Sequence, residues 1–221
     1  ETRQELILAM TTHSAPPPAL RSGRFLFFLI LAFTNFQPAA WSAENSSRLA
    51  HWITLGKNNH NLPFIVVDKN TAMVFVFNAR GKLQGSSPAL LGLGIGDETK
   101  PETFNKPLSQ IQPEERITPA GRFVAQLGKN ISDQVILWVD YDDAISLHPV
   151  RSVSPKERRL RRLSTPDSND NRISYGCINV PKRFFDKVVI PSLSNYKAVV
   201  YIMPEVRAIS AVFEGYQELP K

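Results

Sequence analysis

Short runs of β-branched and aromatic residues recur along the chain from residue 63 onward. Pro63 to Asp68 (PFIVVD) and Ala72 to Phe77 (AMVFVF) flank a turn-forming cluster at 68–71, so this region predicts a β-hairpin. A second turn at 78–81 leads into an extended stretch that reaches Leu91. Further short strands are predicted at residues 122–127, 134–141, 144–147 and 197–203. Many short strands with one or two short helices indicate a mostly-β fold.

Fewer segments carry a helical pattern. We predict a helix from Pro181 to Ile190, because proline suits the first helical position and the apolar residues behind it share one face. Pro191 is expected to end it. The basic run at 156–162 predicts an amphipathic turn of helix, and residues 44–60 predict a weakly amphipathic helix or loop. Residues 97–117 are polar and rich in proline, which is typical of a surface loop.

The N-terminal region has the pattern of an export signal. Arg21 and Arg24 precede an apolar run at 25–33 (FLFFLILAF), and small residues follow it. The run is shorter than the roughly 20 residues that span a bilayer. We expect cleavage near Ser42 or Ala43, and an uncleaved anchor or a buried helix is the alternative. The protein is therefore expected in the periplasm or cell envelope, with membrane contact only through an uncleaved signal.

The chain is basic, since 26 Lys and Arg stand against 20 Asp and Glu and give a net charge of +6. A basic surface favours nucleic acid, anionic glycans or membrane surfaces as partners. The basic run at 156–162 lacks the interleaved aromatic residues that stack on bases, and export also argues against nucleic acid. Cell-wall polymers are the expected partner, and we expect a monomer. The basic run itself is either a solvated face or a flap over an anionic substrate.

Two cofactor classes are not expected. Gly92 to Gly96 (GLGIG) resembles a phosphate loop, but a proline-rich loop follows it where a nucleotide fold needs a helix. We interpret these glycines as relieving a bend in a β segment. One cysteine in the chain excludes an intrachain disulfide and a cysteine-rich metal site. The histidines also lack the spacing of zinc ligands, so we expect no metal and no cofactor.

That cysteine, Cys177, lies in the segment 174–179 (SYGCIN) and is a candidate nucleophile. Gly176 allows a sharp bend that exposes backbone N–H groups, and the predicted helix at Pro181 would favour a thiolate. A nucleophilic cysteine needs a base. His148 is the candidate, because the other histidines of the predicted mature chain lie in its polar leader. A small buried apolar cysteine is the alternative interpretation.

The segment resembles the catalytic motif of the L,D-transpeptidase (YkuD) family. In that motif a histidine is followed at a distance by Ser/Thr-His-Gly-Cys-hydrophobic-Asn/Arg, and this chain supplies His148 and then 174–179. Thr118 to Phe123 (TPAGRF) is similar to the family's T-P-x-G-x-F. The resemblance covers roughly residues 61–204 and implies a β-sandwich or barrel-like fold. The implied organisation is an N-terminal extension with signal peptide at 1–43, a leader at 44–60, the catalytic domain at 61–204 and a tail at 205–221.

The sequence departs from the family pattern in two places. Tyr175 occupies the position of the motif's histidine, which is not the position of the general base. The spacer between His148 and Cys177 has 28 residues and is longer than is common in the family. Since the basic run 156–162 lies inside this insertion, we interpret it as a flap over the active site.

The resemblance implies an acyl transfer on peptidoglycan stem peptides. Cys177 would attack the carbonyl of the third residue of a tetrapeptide stem and release the terminal D-alanine. The resulting thioester would pass to an amine of a second stem. His148 would either form an ion pair with the thiolate or act as the base, oriented by the backbone carbonyl of Pro149.

Other residues of the motif receive roles from the same resemblance. The backbone N–H groups of Tyr175, Gly176 and Cys177 would form the oxyanion hole. Ser174 and Asn179 are expected to contact substrate. Arg172 is a candidate for holding a substrate carboxylate, with a surface charge as the alternative interpretation.

Three other functions stay open at the level of sequence. Water in place of the amine acceptor would give an L,D-carboxypeptidase or a cross-link hydrolase with the same residues. Tyr175 in place of histidine would suit a degenerate murein-binding module, although Cys177 and His148 are both present. A sortase-type transpeptidase is less favoured, because the surroundings of Cys177 lack the arginine pattern of that class.

Overall fold

The computed structural model describes residues 38–104, 106–151 and 154–217. The strands are β1 (Phe64–Asp68), β2 (Met73–Phe77), β3 (Leu83–Pro88), β4 (Leu91–Gly92), β5 (Gly121–Lys129), β6 (Val135–Asp140), β7 (Ile145–Pro149), β8 (Arg172–Ser174), β9 (Ile178–Val180) and β10 (Lys197–Ile202). The α-helices are α1 (Pro38–Leu55), α2 (Pro101–Phe104), α3 (Arg159–Arg162), α4 (Lys182–Phe184) and α5 (Ile190–Ser192). A π-helical turn, Phe185–Val189, joins α4 to α5.

Eight of these strands form one sheet in the order β3-β2-β1-β10-β5-β6-β7-β9, and β4 pairs with β8 in a second small sheet. Two pairs in the large sheet, β1 with β10 and β7 with β9, are parallel, and the remaining neighbours are antiparallel. The prediction of a mostly-β fold is confirmed.

The middle of the large sheet is covered on both faces. Phe64 and Val66 of β1 pack in one apolar cluster with α1, while Ile65 and Val67 pack in a second cluster with the α4–α5 segment. A strand that is buried on both faces reads as a continuous apolar run, which is the pattern of β1 and β10. Helix α1 supplies Leu49, Ala50 and Ile53 to the first cluster, so it forms part of the folded core.

Most predicted elements are present, with shifted ends. The predicted hairpin is β1 with β2, and the four further predicted strands are β5, β6, β7 and β10. The predicted C-terminal helix begins at Lys182 and runs to Ser192, so the expectation that Pro191 ends it is wrong: Pro191 lies in the last turn. Strands β8 and β9, of three residues each, were not predicted.

Of the signal-peptide predictions, only the cleavage point lies within the described residues. The apolar run at 25–33 lies outside the described residues. The predicted cleavage point lies within α1, where the buried Ser42 hydroxyl donates to Asp68 Oδ2 at 2.7 Å and accepts from Thr71 Oγ1 at 2.6 Å. Cleavage after Ala43 would remove both contacts, and the cleavage point stays a prediction. Within the described ranges, no helix is both long and apolar enough to cross a bilayer.

Candidate active site

Cys177 lies in a tight loop between β8 and β9. The loop residue Gly176 has φ +127°, a conformation that residues with a side chain rarely adopt. A Cβ placed on Gly176 would lie 2.7 Å from the backbone oxygen of Ile117. Both the backbone angle and the close approach therefore require glycine immediately before the candidate nucleophile.

The parallel pairing of β7 with β9 brings Cys177, the residue directly before β9, next to the strand that carries His148. Leu147 is in register with Ile178, and His148 is in register with Asn179. Leu147 and Ile178 are fully buried in the core, and successive side chains of a strand point to opposite faces. His148 and Asn179 therefore share the outer face, where the half-buried Cys177 enters β9.

One ring nitrogen of His148 is fixed by a backbone contact. His148 Nδ1 lies 2.8 Å from the carbonyl oxygen of Pro149. Because a carbonyl oxygen can only accept, Nδ1 carries the proton in this contact and Nε2 of the neutral ring has a free lone pair. That lone pair is what a general base needs.

The surroundings of His148 favour the neutral ring. Burial lowers the pKa of His148 below its ordinary value of 6.5, and the positive charges of Arg151 and Arg159 lower it further. The hydrogen bond to Pro149 acts in the opposite direction and is outweighed. His148 is therefore uncharged at neutral pH.

The loop before Cys177 is held by Ser174, whose side chain is buried. Ser174 Oγ donates to the carbonyl oxygen of Cys177 at 2.6 Å and accepts from the N–H of Gly176 at 3.1 Å. The Gly176 N–H, predicted as an oxyanion donor, is thus already engaged. The N–H groups of Tyr175 and Cys177 have no acceptor in the described part of the chain. Ser174 is predicted to contact substrate, but its buried side chain is bonded to the backbone of the loop itself.

Thr118, from the T-P-x-G-x-F segment, joins this loop to β4. Its fully buried hydroxyl donates to the carbonyl oxygen of Gly176 at 2.8 Å and accepts from the N–H of Gly92 at 2.8 Å. A Cβ on Gly92 would lie 2.2 Å from the backbone oxygen of Arg116, so the two segments approach closely. The close approach gives the glycine-bearing stretch a structural role.

We expect Thr118→Val to destabilise the fold by about 2–4 kcal/mol, because it leaves the buried Gly92 N–H and Gly176 carbonyl without partners. Urea denaturation followed by circular dichroism measures the change. Thr118→Ser keeps the hydroxyl and is the matched control, expected to lose clearly less stability. Equal stability of the valine variant and the wild type would contradict this role.

Arg172 lies in a cluster of buried charges that it forms with Lys69, Asp97 and Glu205. Its guanidinium pairs with Glu205 and donates to the carbonyl oxygen of Lys69 at 2.9 Å. Lys69 Nζ lies 2.8 Å from Asp97 Oδ1 and 3.4 Å from Glu205 Oε1. A substrate carboxylate at Arg172 would have to displace Glu205, so the structure does not present this arginine to the thiol face.

Asn179 connects Cys177 to the basic run. Its side chain is buried, donates from Nδ2 to the carbonyl oxygen of Cys177 at 3.1 Å, and accepts at Oδ1 from Arg159 Nη1 at 2.8 Å. Arg159 also pairs with Glu157 at 2.7 Å. The predicted helical turn in this run is α3, and its first residue is bonded to β9, the strand that directly follows Cys177. The role of this segment as a flap stays a prediction.

Sequence reasoning missed two residues that contact the segment 175–177. The Ser146 hydroxyl lies 3.5 Å from Cys177 Sγ. Arg116 places its guanidinium 4.1 Å from the centre of the half-exposed Tyr175 ring. Ser146 could have been found from its spacing, because it stands two residues before His148 and shares its face. Arg116 carries no such signal.

The described residues offer no metal site in the form of three clustered His, Cys, Asp or Glu side chains. No protein-family model and no curated protein matches the chain. Comparison with solved structures, in contrast, returns L,D-transpeptidases.

The catalytic domain of an L,D-transpeptidase from E. faecium is 17% identical, with a TM-score of 0.37, over 64% of this chain and 96% of that one. An L,D-transpeptidase from Mycobacterium smegmatis is 16% identical, with a TM-score of 0.34, over 64% of this chain and 58% of that one. The helical cell shape determining protein of Campylobacter jejuni is 15% identical, with a TM-score of 0.40, over 66% of this chain and 49% of that one. The chain thus spans about half to three fifths of the length of the two larger proteins.

Proposed function

We propose that this protein is a cysteine-dependent peptidoglycan L,D-transpeptidase. The proposal rests above all on one arrangement: Cys177 directly precedes β9, the parallel neighbour of the strand that carries His148, and the Pro149 carbonyl leaves His148 Nε2 free to accept a proton. The residue order of the motif at 174–179 supports the same reaction.

General-base activation is the mechanism that the electrostatics favour. A preformed ion pair would need a charged imidazole, which burial and the charges of Arg151 and Arg159 oppose. The neutral ring instead takes the thiol proton at Nε2 as the sulfur attacks. General-base catalysis of this kind contributes about 10²–10⁴-fold in rate.

The first half-reaction forms the acyl-enzyme. The sulfur of Cys177 adds to the carbonyl carbon of the third stem residue, and the oxyanion is bound by the N–H groups of Tyr175 and Cys177. The bond from that carbon to the D-alanine nitrogen then breaks, and His148 returns its proton to the leaving amine. A thioester and free D-alanine result.

The second half-reaction transfers the acyl group. An amine of another stem attacks the thioester carbonyl, His148 accepts a proton from the amine, and the carbon–sulfur bond breaks. The proton returns to the sulfur, so the thiol is restored and a new amide cross-links two stems. Water as the acceptor would release a shortened stem by the same steps.

The charges near the site suit a substrate that carries carboxylates. Arg151 forms no salt bridge within the described residues, and its positive charge lowers the pKa of His148. We assign to Arg151, rather than Arg172, the role of attracting a stem carboxylate. Peptidoglycan stem peptides carry such carboxylates and lie in the cell envelope, and this location agrees with the predicted export signal.

Incubation of the purified protein with a disaccharide tetrapeptide tests the proposal. We expect mass spectrometry to find free D-alanine, cross-linked dimers and a thioester adduct on the intact protein. Cys177→Ala should give none of the three. D-alanine with shortened monomers alone would indicate a carboxypeptidase, and binding without any product would indicate a murein-binding module; both would overturn the transpeptidase proposal.

A further inference from the structure

We propose that the hydroxyl of Ser146 is a third catalytic group, which donates a hydrogen bond to the sulfur of Cys177 as the thiol loses its proton. The inference deepens the proposed function and depends on it for its role in turnover. It concerns a residue that stands outside the motif at 174–179.

The position of Ser146 limits what its side chain can do. The residue is 4% exposed, and its Oγ lies 3.5 Å from Cys177 Sγ. Among the described residues, the sulfur is the only hydrogen-bond partner of this hydroxyl. A buried hydroxyl that had no partner would cost free energy, so the contact with sulfur satisfies Ser146 as well.

The two oxygen atoms that contact the sulfur of Cys177 favour opposite protonation states of this side chain. Cys177 Sγ lies 3.6 Å from the carbonyl oxygen of Ala144, which can only accept and therefore favours the protonated thiol. The Ser146 hydroxyl can donate, and its bond to a negatively charged sulfur is stronger than its bond to a neutral one. When the proton leaves for His148, the contact with Ala144 is lost and the contact with Ser146 remains.

Other charged groups set the background for this bond. His148 lies on the same strand, and Arg151 and Arg159 lie near its ring. Arg116 covers Tyr175 in the loop of Cys177. The carboxylates at 140, 142 and 143 lie just before Ala144, and burial first, then the charges at 140 and 142, raise the pKa of Asp143. None of these groups changes when Ser146 is replaced, so a difference between variants reports on the hydroxyl.

The test measures ionisation of the thiol without peptidoglycan. Iodoacetamide alkylates the thiolate: the sulfur forms a bond to carbon, and iodide leaves. We expect Ser146→Ala to move the midpoint of the alkylation rate upward by about one pH unit and to slow alkylation about tenfold below the midpoint. The rate at high pH, where the thiol is fully ionised, should match the wild type.

Ser146→Thr keeps the hydroxyl and should retain the midpoint of the wild type, while Ser146→Gly lacks it and should shift as alanine does. Thermal melts identify any variant that has lost its fold. An alanine profile that superimposes on the wild type would overturn the inference. A lowered plateau with an unchanged midpoint would also overturn it, because that result indicates a packing role.

The two proposals fail in different ways. If Ser146→Ala leaves the alkylation midpoint unchanged while the wild type forms dimers, the role of Ser146 is refuted and the transpeptidase function stands. If the midpoint shifts but no D-alanine appears, the thiol contact stands and the proposed function is refuted.

Discussion

Glutamine in place of His148 is expected to slow formation of the acyl-enzyme on Cys177 by about 10²–10⁴-fold. The amide of glutamine can donate to the Pro149 carbonyl, as Nδ1 of the imidazole does, but it cannot accept the thiol proton. Rapid-quench mass spectrometry of the thioester, with substrate in one turnover, measures this step directly. A glutamine variant that acylates at the rate of the wild type would exclude His148 as the base.

The pH dependence of the same step has a defined direction. His148 acts only when neutral, so the rate falls as the pH drops below the pKa of His148. Burial first, and Arg151 and Arg159 second, hold this pKa below the ordinary value of 6.5, so the acid limb should lie below that pH. Arg151→Met removes one of the positive charges and should move the limb upward. The glutamine variant should lack the limb, and its persistence there would contradict the assignment.

The strands of the fold could be predicted where their burial produces a recognisable apolar pattern in the sequence. β1 and β10 are covered on both faces and appear as continuous apolar runs. Strands β8 and β9 have three residues each, too few for a pattern, and they exist because β4 and β7 pair with them. The π-helical turn likewise has no signature in the apolar spacing that predicted its helix.

The candidate site, like the fold, could be predicted from sequence only in part. Cys177 and His148 could be named from residue chemistry and motif spacing, because each type of side chain is needed for the reaction. The contacts of Ser146 and Arg159 depend on which strands become neighbours, which only the folded chain decides. Arg172 was predicted to face the substrate because it lies close to Cys177 in sequence, yet Glu205, far along the chain, holds its guanidinium.

Lys69→Met is expected to cause the largest loss of stability, about 3–5 kcal/mol at neutral pH. The side chain of Lys69 is fully buried, and its ammonium lies between the buried carboxylates of Asp97 and Glu205. It also donates to the carbonyl oxygen of Thr118, so it links these carboxylates to the segment that supports the Cys177 loop. Methionine fills similar space but leaves two carboxylates without this charge. Urea denaturation monitored by circular dichroism measures the loss.

An exposed lysine supplies the control. Lys182 pairs with Asp186 at 2.6 Å one helical turn away, and its side chain is 76% exposed. Lys182→Met should therefore cost no more than about 0.5 kcal/mol. If Lys69→Met costs no more than this control, the buried charges do not stabilise the fold.

The loss should also depend on pH in one direction. Burial acts to raise the pKa of Asp97, but the hydrogen bonds from Lys69 and from the N–H groups of Glu205 and Arg207 outweigh it and lower the pKa below 3.8. A carboxylate with a lowered pKa stabilises the fold above its unfolded pKa, and this contribution is lost as the pH falls through the folded value. Without Lys69 the contribution of Asp97 shrinks. The difference in the free energy of unfolding between wild type and variant should therefore be largest at neutral pH and become smaller below about pH 4. A difference that stays the same in acid would show that Lys69 acts through packing rather than through charge.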